Sequence, residues 1–157
     1  MGTNLRFCSF CGQELILKIL RDGSREKYCP KCDHVFFDSP YPAVIVAVTH
    51  TDKILITNEG LVAGHVKSGE TAEEAAIREV REEVGLEVSS LQYIGTYAAE
   101  SRNLLMIGFV AKSKGNSIRK SEELEKADWF KINESLPLRQ NSIAAQIASL
   151  IQNRAYG

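Results

Sequence analysis

GHVKSGETAEEAAIREVREEVGL, residues 64 to 86, decides how the rest of the chain is read. Thr71 is followed three residues later by Glu74, the spacing of a capping box at a helix start. Gly85 follows Val84 as a glycine-type stop. The interval predicts a helix of about four turns over residues 72 to 84. Ile77, Val80 and Val84 recur at i, i+3, i+7 and predict its buried stripe. Glu79, Glu82 and Glu83 recur at i, i+3, i+4, which sets three carboxylates on one other face. Like charges on adjacent turns each oppose helix formation by a few tenths of a kcal/mol. Arg78 and Arg81 relieve part of that cost. Such a face is either a solvated acidic surface or a site for a hard divalent cation such as Mg²⁺, which takes oxygen ligands and works beside substrate phosphates.

The spacing of the whole run separates these alternatives. Gly64, five residues, Glu70, seven residues, Arg78-Glu79-Val80, one residue, Glu82-Glu83, one residue, Gly85-Leu86 resembles the Nudix box at every fixed position. The resemblance implies a Nudix hydrolase: an α/β protein, an α/β/α sandwich with a mixed sheet, that cleaves nucleoside diphosphates linked to another moiety. It implies that Glu79, Glu82 and Glu83 hold Mg²⁺ or Mn²⁺ and that Glu70 pairs with Arg78 to brace the loop against the helix. It also implies a metal contact from the backbone carbonyls near Ala63 and Gly64. A glycine at position 64 permits close backbone approach or an ordinary turn. Family members often carry a second glycine where this chain has Ala63.

The 157 residues allow one ordinary domain and a small appendage. Hydrophobic residues make up 44% and charged residues 25%, so a packed core is expected. A net charge of −1 offers no basic field for nonspecific nucleic-acid or membrane binding. No apolar run reaches the roughly 18 residues of a membrane span, and residues 1 to 10 lack an apolar signal core. A cytoplasmic location is expected, without a membrane partner and with nucleic acid not an expected partner. Whether the chain pairs as a homodimer stays open.

Cys8-Ser-Phe-Cys11 and Cys29-Pro-Lys-Cys32 form C-x2-C-x17-C-x2-C, within the spacing range of structural zinc. Residues 14 to 20 and 25 to 28 predict a hairpin across Asp22-Gly23. A segment of about 37 residues buries too little surface to fold unaided. Disulfides fit poorly with a cytoplasmic chain. Cys8, Cys11, Cys29 and Cys32 are therefore read as a closed, structural zinc set in a small zinc ribbon over residues 1–37. The Nudix hydrolase domain is expected over residues 38–157, with residues 35 to 42 as the join held extended by Pro40 and Pro42.

The strand-like runs are residues 43 to 49, apolar enough to be buried on both faces, and 53 to 57, its hairpin partner. Others fall at 61 to 63, 87 to 97, 104 to 112 and 127 to 131. A C-terminal helix is predicted over 142 to 154. Its buried stripe would be Ile143, Ile147, Leu150 and Ile151, capped by Asn141 or Ser142.

Ser121 to Glu125, taken alone, is a solvated acidic loop. In Nudix enzymes an acidic residue a few positions before an AxWF strand, here Ala127-Asp128-Trp129-Phe130, often reaches the metals. By that resemblance Glu123, then Glu122, is the candidate general base. His65 reads as a solvent-facing loop residue, and Trp129 and Tyr97 as core. His34 and His50 have no metal partners in spacing.

The order of ribbon, proline-bearing linker and Nudix domain resembles the NADH pyrophosphatase branch. That implies a nucleotide-containing substrate such as NADH, NAD or ADP-ribose. The branch's SQPWPFPxS motif has no counterpart in residues 97 to 103, so its recognition residues are not carried over. The reading from another class is a nucleotide-sensing binding module whose ribbon contacts nucleic acid or protein.

Overall fold

The computed structural model describes residues 5–156, with the backbone alone for 155 and 156. The chain divides into two compact units, Met1–Pro40 and Tyr41–Gly157. In the first, β1 (Ile16–Ile19), β2 (Arg25–Cys29) and β3 (His34–Phe36) form an antiparallel sheet in the order β1-β2-β3. The third strand lies where the sequence places the join. Three residues are too short for a periodic signal, and the strand exists because Cys29↔His34 and Lys27↔Phe36 pair across the second knuckle.

The second unit is built on β4 (Tyr41–His50), buried from Ala43 to Thr49. One edge pairs in parallel with β8 (Leu104–Ser113), from Tyr41↔Leu104 to Thr49↔Lys112. The other edge is shared. β5 (Lys53–Thr57) takes the C-terminal end, and β6 (Val62–His65) pairs Ala43↔His65 through Val46↔Val62. β7 (Val88–Ala99) and β9 (Ala127–Lys131) complete a mixed six-stranded sheet.

Alternation along β4 divides the core. Val44, Val46 and Val48 pack with Ala75, Ala76, Val80 and Val84 of helix α1 (Ala72–Val84) on one face. Ala43, Ile45 and Ala47 pack with Ala144 and Ile147 of helix α2 (Ile143–Tyr156) on the other. This is the expected α/β/α sandwich with a mixed sheet.

Helix α1 matches its predicted limits. The Thr71 side chain accepts from Glu74 N–H, the Glu74 side chain accepts from Thr71 N–H, and Gly85 adopts φ 67° at the C-cap. Its stripe is corrected: Ala75, Ala76, Val80 and Val84 are buried while Ile77 is only half-buried. Small alanines let α1 approach the sheet, which leaves the larger Ile77 at the margin. In α2, Leu150 is 38% exposed and Ala148 is buried instead. The Ser142 side chain caps α2 by accepting from Ala145 N–H.

Candidate functional site

Strand pairing carries β6 alongside the N-terminal half of β4, and the loop from Val66 to Glu70 then leads back to the start of α1. A methyl group at position 64 would overlap the Glu79 carboxylate, so the glycine lets that carboxylate lie against the strand.

Arg78 locks this loop. Its Nε and Nη2 donate to Glu70 at 2.6 and 3.0 Å, and Nη2 also donates to the His65 carbonyl at 3.0 Å. Nη1 reaches Glu79 at 2.7 Å and Glu82 at 3.1 Å. Glu70 also accepts from Lys67 N–H. The bonds from Arg78 and from Lys67 N–H hold the Glu70 carboxyl down at about 2. The Arg78 guanidinium is shifted up, chiefly by Glu70 and, against the pull of desolvation, also by Glu79. A bidentate pair of this kind joins loop and helix with defined geometry.

The three box carboxylates differ in setting. Glu79 is 12% exposed at its side chain and leans on Arg78, whereas Glu82 is 54% exposed. Glu83 is half-buried, and its carboxyl is pushed up to about 7 by desolvation and by the charges of Glu79, Glu59 and Glu123, against a backbone bond from Ala63.

A cavity of about 370 Å³ opens here. Glu59, Glu79, Glu83 and Glu123 line it with His65, and Arg102 is the one cation of its wall among the described residues. Ala43, Leu61, Leu104 and Met106 supply an apolar side. A neighbouring hollow gathers Glu79, Glu82, Glu83, Ser121, Glu122 and Glu123. Thus Glu79 and Glu83 face both spaces, Glu82 faces only the second, and Glu70 faces neither.

Sequence reading missed Glu59 and Arg102. Glu59 lies in the β5–β6 turn beside Thr57, whose hydroxyl accepts its N–H. Arg102 closes the 3-10 turn Glu100–Arg102 before Asn103 at φ 52°. Neither lies in a motif, and only the pairing of β4 with β6 and β8 brings them to the box helix. His65 is exposed, as read, and also borders the cavity from the end of β6.

The site has the acidic chemistry that suits a hard divalent cation, while among the described residues only the four thiols of the first unit have their ligand atoms within 4.8 Å of one another. Four carboxylates from three segments line one space, and burial, then the charges of Glu79, Glu59 and Glu123, push the Glu83 carboxyl up. In addition, the buried Ser121 Oγ in the adjoining hollow has no hydrogen-bond partner among the described residues.

In the first unit the Sγ atoms of Cys8, Cys11, Cys29 and Cys32 lie within 4.8 Å of one another, and all four are free thiols. Cys8–Cys32 and Cys11–Cys29 stand 3.9 and 3.6 Å apart. Tetrahedral Zn–S bonds of about 2.3 Å place sulfurs about 3.8 Å apart. Burial raises the Cys8 thiol, but backbone bonds from Phe10 and Cys11 bring it down to about 7. Cys32 is pushed up to about 12 by its bond to Cys11 and by burial. The four thiols could hold one zinc.

Residues 39–151 match the NUDIX domain family. The chain is 35% identical to the NAD-capped RNA hydrolase NudC of Pseudomonas aeruginosa and 37% identical to that of Stutzerimonas stutzeri, over 97% of its own length in each case. It spans 57% and 58% of the length of those relatives. A NUDIX hydrolase structure from Nitrosomonas europaea superposes with a TM-score of 0.78 at 22% identity, covering 98% of this chain and 94% of that one. The NUDIX domain of Shewanella oneidensis NrtR, solved with ADP ribose, superposes at 0.65 and 16% identity, covering 82% and 94%. By the match over residues 39–151 and the identity to these relatives, this chain belongs to the NUDIX family.

Proposed function

We propose that the chain hydrolyses the pyrophosphate linkage of a nucleoside diphosphate joined to another moiety, with NAD(H)- or ADP-ribose-like compounds as its substrates. The observation that carries this is the convergence of Glu59, Glu79, Glu83 and Glu123 on one cavity that has Arg102 on its wall. The name of the curated relatives supports a substrate with an NAD-type pyrophosphate.

Glu79, Glu82 and Glu83 would hold Mg²⁺ or Mn²⁺, with Glu59 and Glu123 beside them. When bound, the metal supplies charge neutralisation at the phosphoryl oxygens and acidifies a water. The remaining work falls to the chain. Arg78 and Glu70 hold the box loop so that Glu79 stays aimed at the cavity. Glu123 accepts the proton of the attacking water as its oxygen bonds to one phosphorus of the P–O–P bridge. The bridging oxygen leaves with the other phosphate, giving two monophosphates. Arg102 contacts the phosphate that faces away from the carboxylates, and the apolar side formed by Leu61, Leu104 and Met106 takes the less charged part of the substrate. Cys8, Cys11, Cys29 and Cys32 would hold a structural zinc, because four thiolates leave no open position for chemistry.

A nucleotide-sensing module without turnover would have no need of the box carboxylates, and all three are present. The test is a panel of NADH, NAD, ADP-ribose, FAD, nucleoside triphosphates and NAD-capped RNA, each with Mg²⁺ and with Mn²⁺. Metal-dependent release of AMP from a dinucleotide is expected. Tight nucleotide binding with no product from any compound would overturn the reading. Arg102→Ala should raise KM about tenfold while kcat changes less, since one charge-assisted phosphate contact of about 1.5 kcal/mol is lost outside the reacting centre.

A further inference from the structure

The first unit carries six basic residues, Arg6, Lys18, Arg21, Arg25, Lys27 and Lys31, and five acidic ones, Glu14, Asp22, Glu26, Asp33 and Asp38. By count they nearly cancel. Strand register does not let them cancel in space. In an antiparallel sheet directly paired residues share a face. Leu17↔Lys27, Ile19↔Arg25, Lys27↔Phe36 and Cys29↔His34 therefore place Leu17, Ile19, Arg25, Lys27, Cys29, His34 and Phe36 on one face, which the buried Cys29 closes at its knuckle end. Ile16↔Tyr28, Lys18↔Glu26 and Tyr28↔Val35 define the other. That second face also takes Asp33, through the bond that Tyr28 donates to it, and Lys18, which sits over the Tyr28 ring. No carboxylate stands at a strand position of the first face.

The first face also has rings in place. Phe10, in the first knuckle, is 69% exposed and lies 5.1 Å from the His34 ring and 5.8 Å from the Phe36 ring. His34 and Phe36 meet edge to face at 4.7 Å. Phe36 packs on the thiol cluster, so the zinc knuckles hold these rings in position. Leu17 and Ile19 extend the face with 63% and 68% exposure.

The geometry points to this face as a binding surface for single-stranded nucleic acid. Phe10 offers a base-stacking platform, Arg25 and Lys27 lie along the same face for the phosphates, and no strand carboxylate opposes a polyanion. Aromatic rings interleaved with cations on one surface are the features that bind single strands without sequence preference. A protein partner would find the same apolar residues, but it would not account for the separation of charge by face. The surface is a second site, independent of the carboxylate cavity and of what that cavity hydrolyses.

The test uses the full chain and a fluorescent 12-nucleotide single strand, as RNA and as DNA, read by anisotropy at 50 and 200 mM salt. Binding of both strands is expected, weaker at high salt, with duplex of the same sequence bound less well because its bases are not free to stack. Arg25→Glu with Lys27→Glu should weaken binding at least tenfold and flatten the salt dependence. Phe10→Ala should weaken it about tenfold with the salt dependence unchanged. Lys18→Glu, on the opposite face, should bind as wild type. An unchanged thermal melt and unchanged far-ultraviolet circular dichroism serve as fold controls for every variant. The inference is overturned by absence of binding at 50 mM salt, by duplex bound as tightly as the single strand, by equal loss in Lys18→Glu, or by wild-type binding in the Arg25/Lys27 variant. Self-association that Phe10→Ala abolishes, with no binding of either strand, would overturn it in favour of a second copy as the occupant.

Discussion

Gly64 sets the position of one carboxylate. A methyl group there would meet only the flexible end of Glu79, so the fold can absorb it by swinging that side chain aside. Gly64→Ala should therefore change Tm by no more than about 2 °C yet lower kcat/KM by about 100-fold, a combination read by calorimetry beside the hydrolysis assay. Full activity in this variant would remove Glu79 from the site. Glu83 gives a prediction about pH. Its carboxyl sits at about 7 against an ordinary 4.5, so between those values the folded protein binds a proton that the unfolded chain has lost. Stability of the metal-free protein should then fall as pH rises from about 4.5 to about 7. Glu70 has the opposite sign. Held at about 2, it stabilises the fold above pH 4.5, and that contribution is lost as pH drops toward 2. Glu83→Gln should remove the decline in Tm between pH 5 and 7, leave the acid limb intact, and cut turnover by about 100-fold or more with saturating Mg²⁺. An unchanged Tm profile from pH 5 to 7 would show that neither the burial of Glu83 nor the like charges around it raise its carboxyl.

Helix α1 was legible because each of its signals is local. Thr71, Glu74 and Gly85 act within a few residues of the ends they define, and the observed limits follow them. Thr71→Ala removes the side-chain acceptor for Glu74 N–H and should cost about 1 kcal/mol, a Tm fall of about 4 °C by thermal melt. A loss under 1 °C would mean that tertiary packing alone holds the helix start. What escaped the sequence depends on contacts distant along the chain. The stripe was misjudged at Ile77 and Leu150, because size and hydropathy do not reveal how closely a helix approaches its sheet. Ala75, Ala76, Ala144 and Ala148 occupy the buried positions instead. Strand β3 escaped because its three residues derive their pairing from the Cys29 knuckle. Of the residues that line the cavity, Glu79 and Glu83 stand at box positions and Glu123 was suggested only by the family resemblance. Glu59 and Arg102 were not, since they reach the cavity only through the register of β4 with β6 and β8.

At the scale of the molecule the two units have separate means of holding together. The core of the second unit draws on residues from Ala43 to Ile151. The first unit has a core of Cys8, Leu15 and Cys29 with Leu5, Cys11 and Phe36 packed against it, too little apolar surface to offset the ordering of some 35 residues. Four thiols within 4.8 Å of one another could supply what that core lacks, since a structural zinc, where bound, contributes on the order of 10 kcal/mol of apparent folding free energy. Cys29 is fully buried, so Cys29→Ser removes one ligand and leaves a polar group in the centre of the ribbon. The variant should lose its zinc and unfold the first unit, while the second keeps its helical circular dichroism and its own melting transition. Amide exchange gives the resolved reading: protection should vanish along Arg25–Cys29 and persist along Tyr41–His50. Chelation of wild-type zinc should give the same pattern, reversed by adding zinc back. If Cys29→Ser instead lowers protection throughout Tyr41–His50, the second unit depends on the ribbon and the two fold as one. If protection in Arg25–Cys29 survives the loss of metal, the ribbon needs no zinc and its thiols serve some other chemistry.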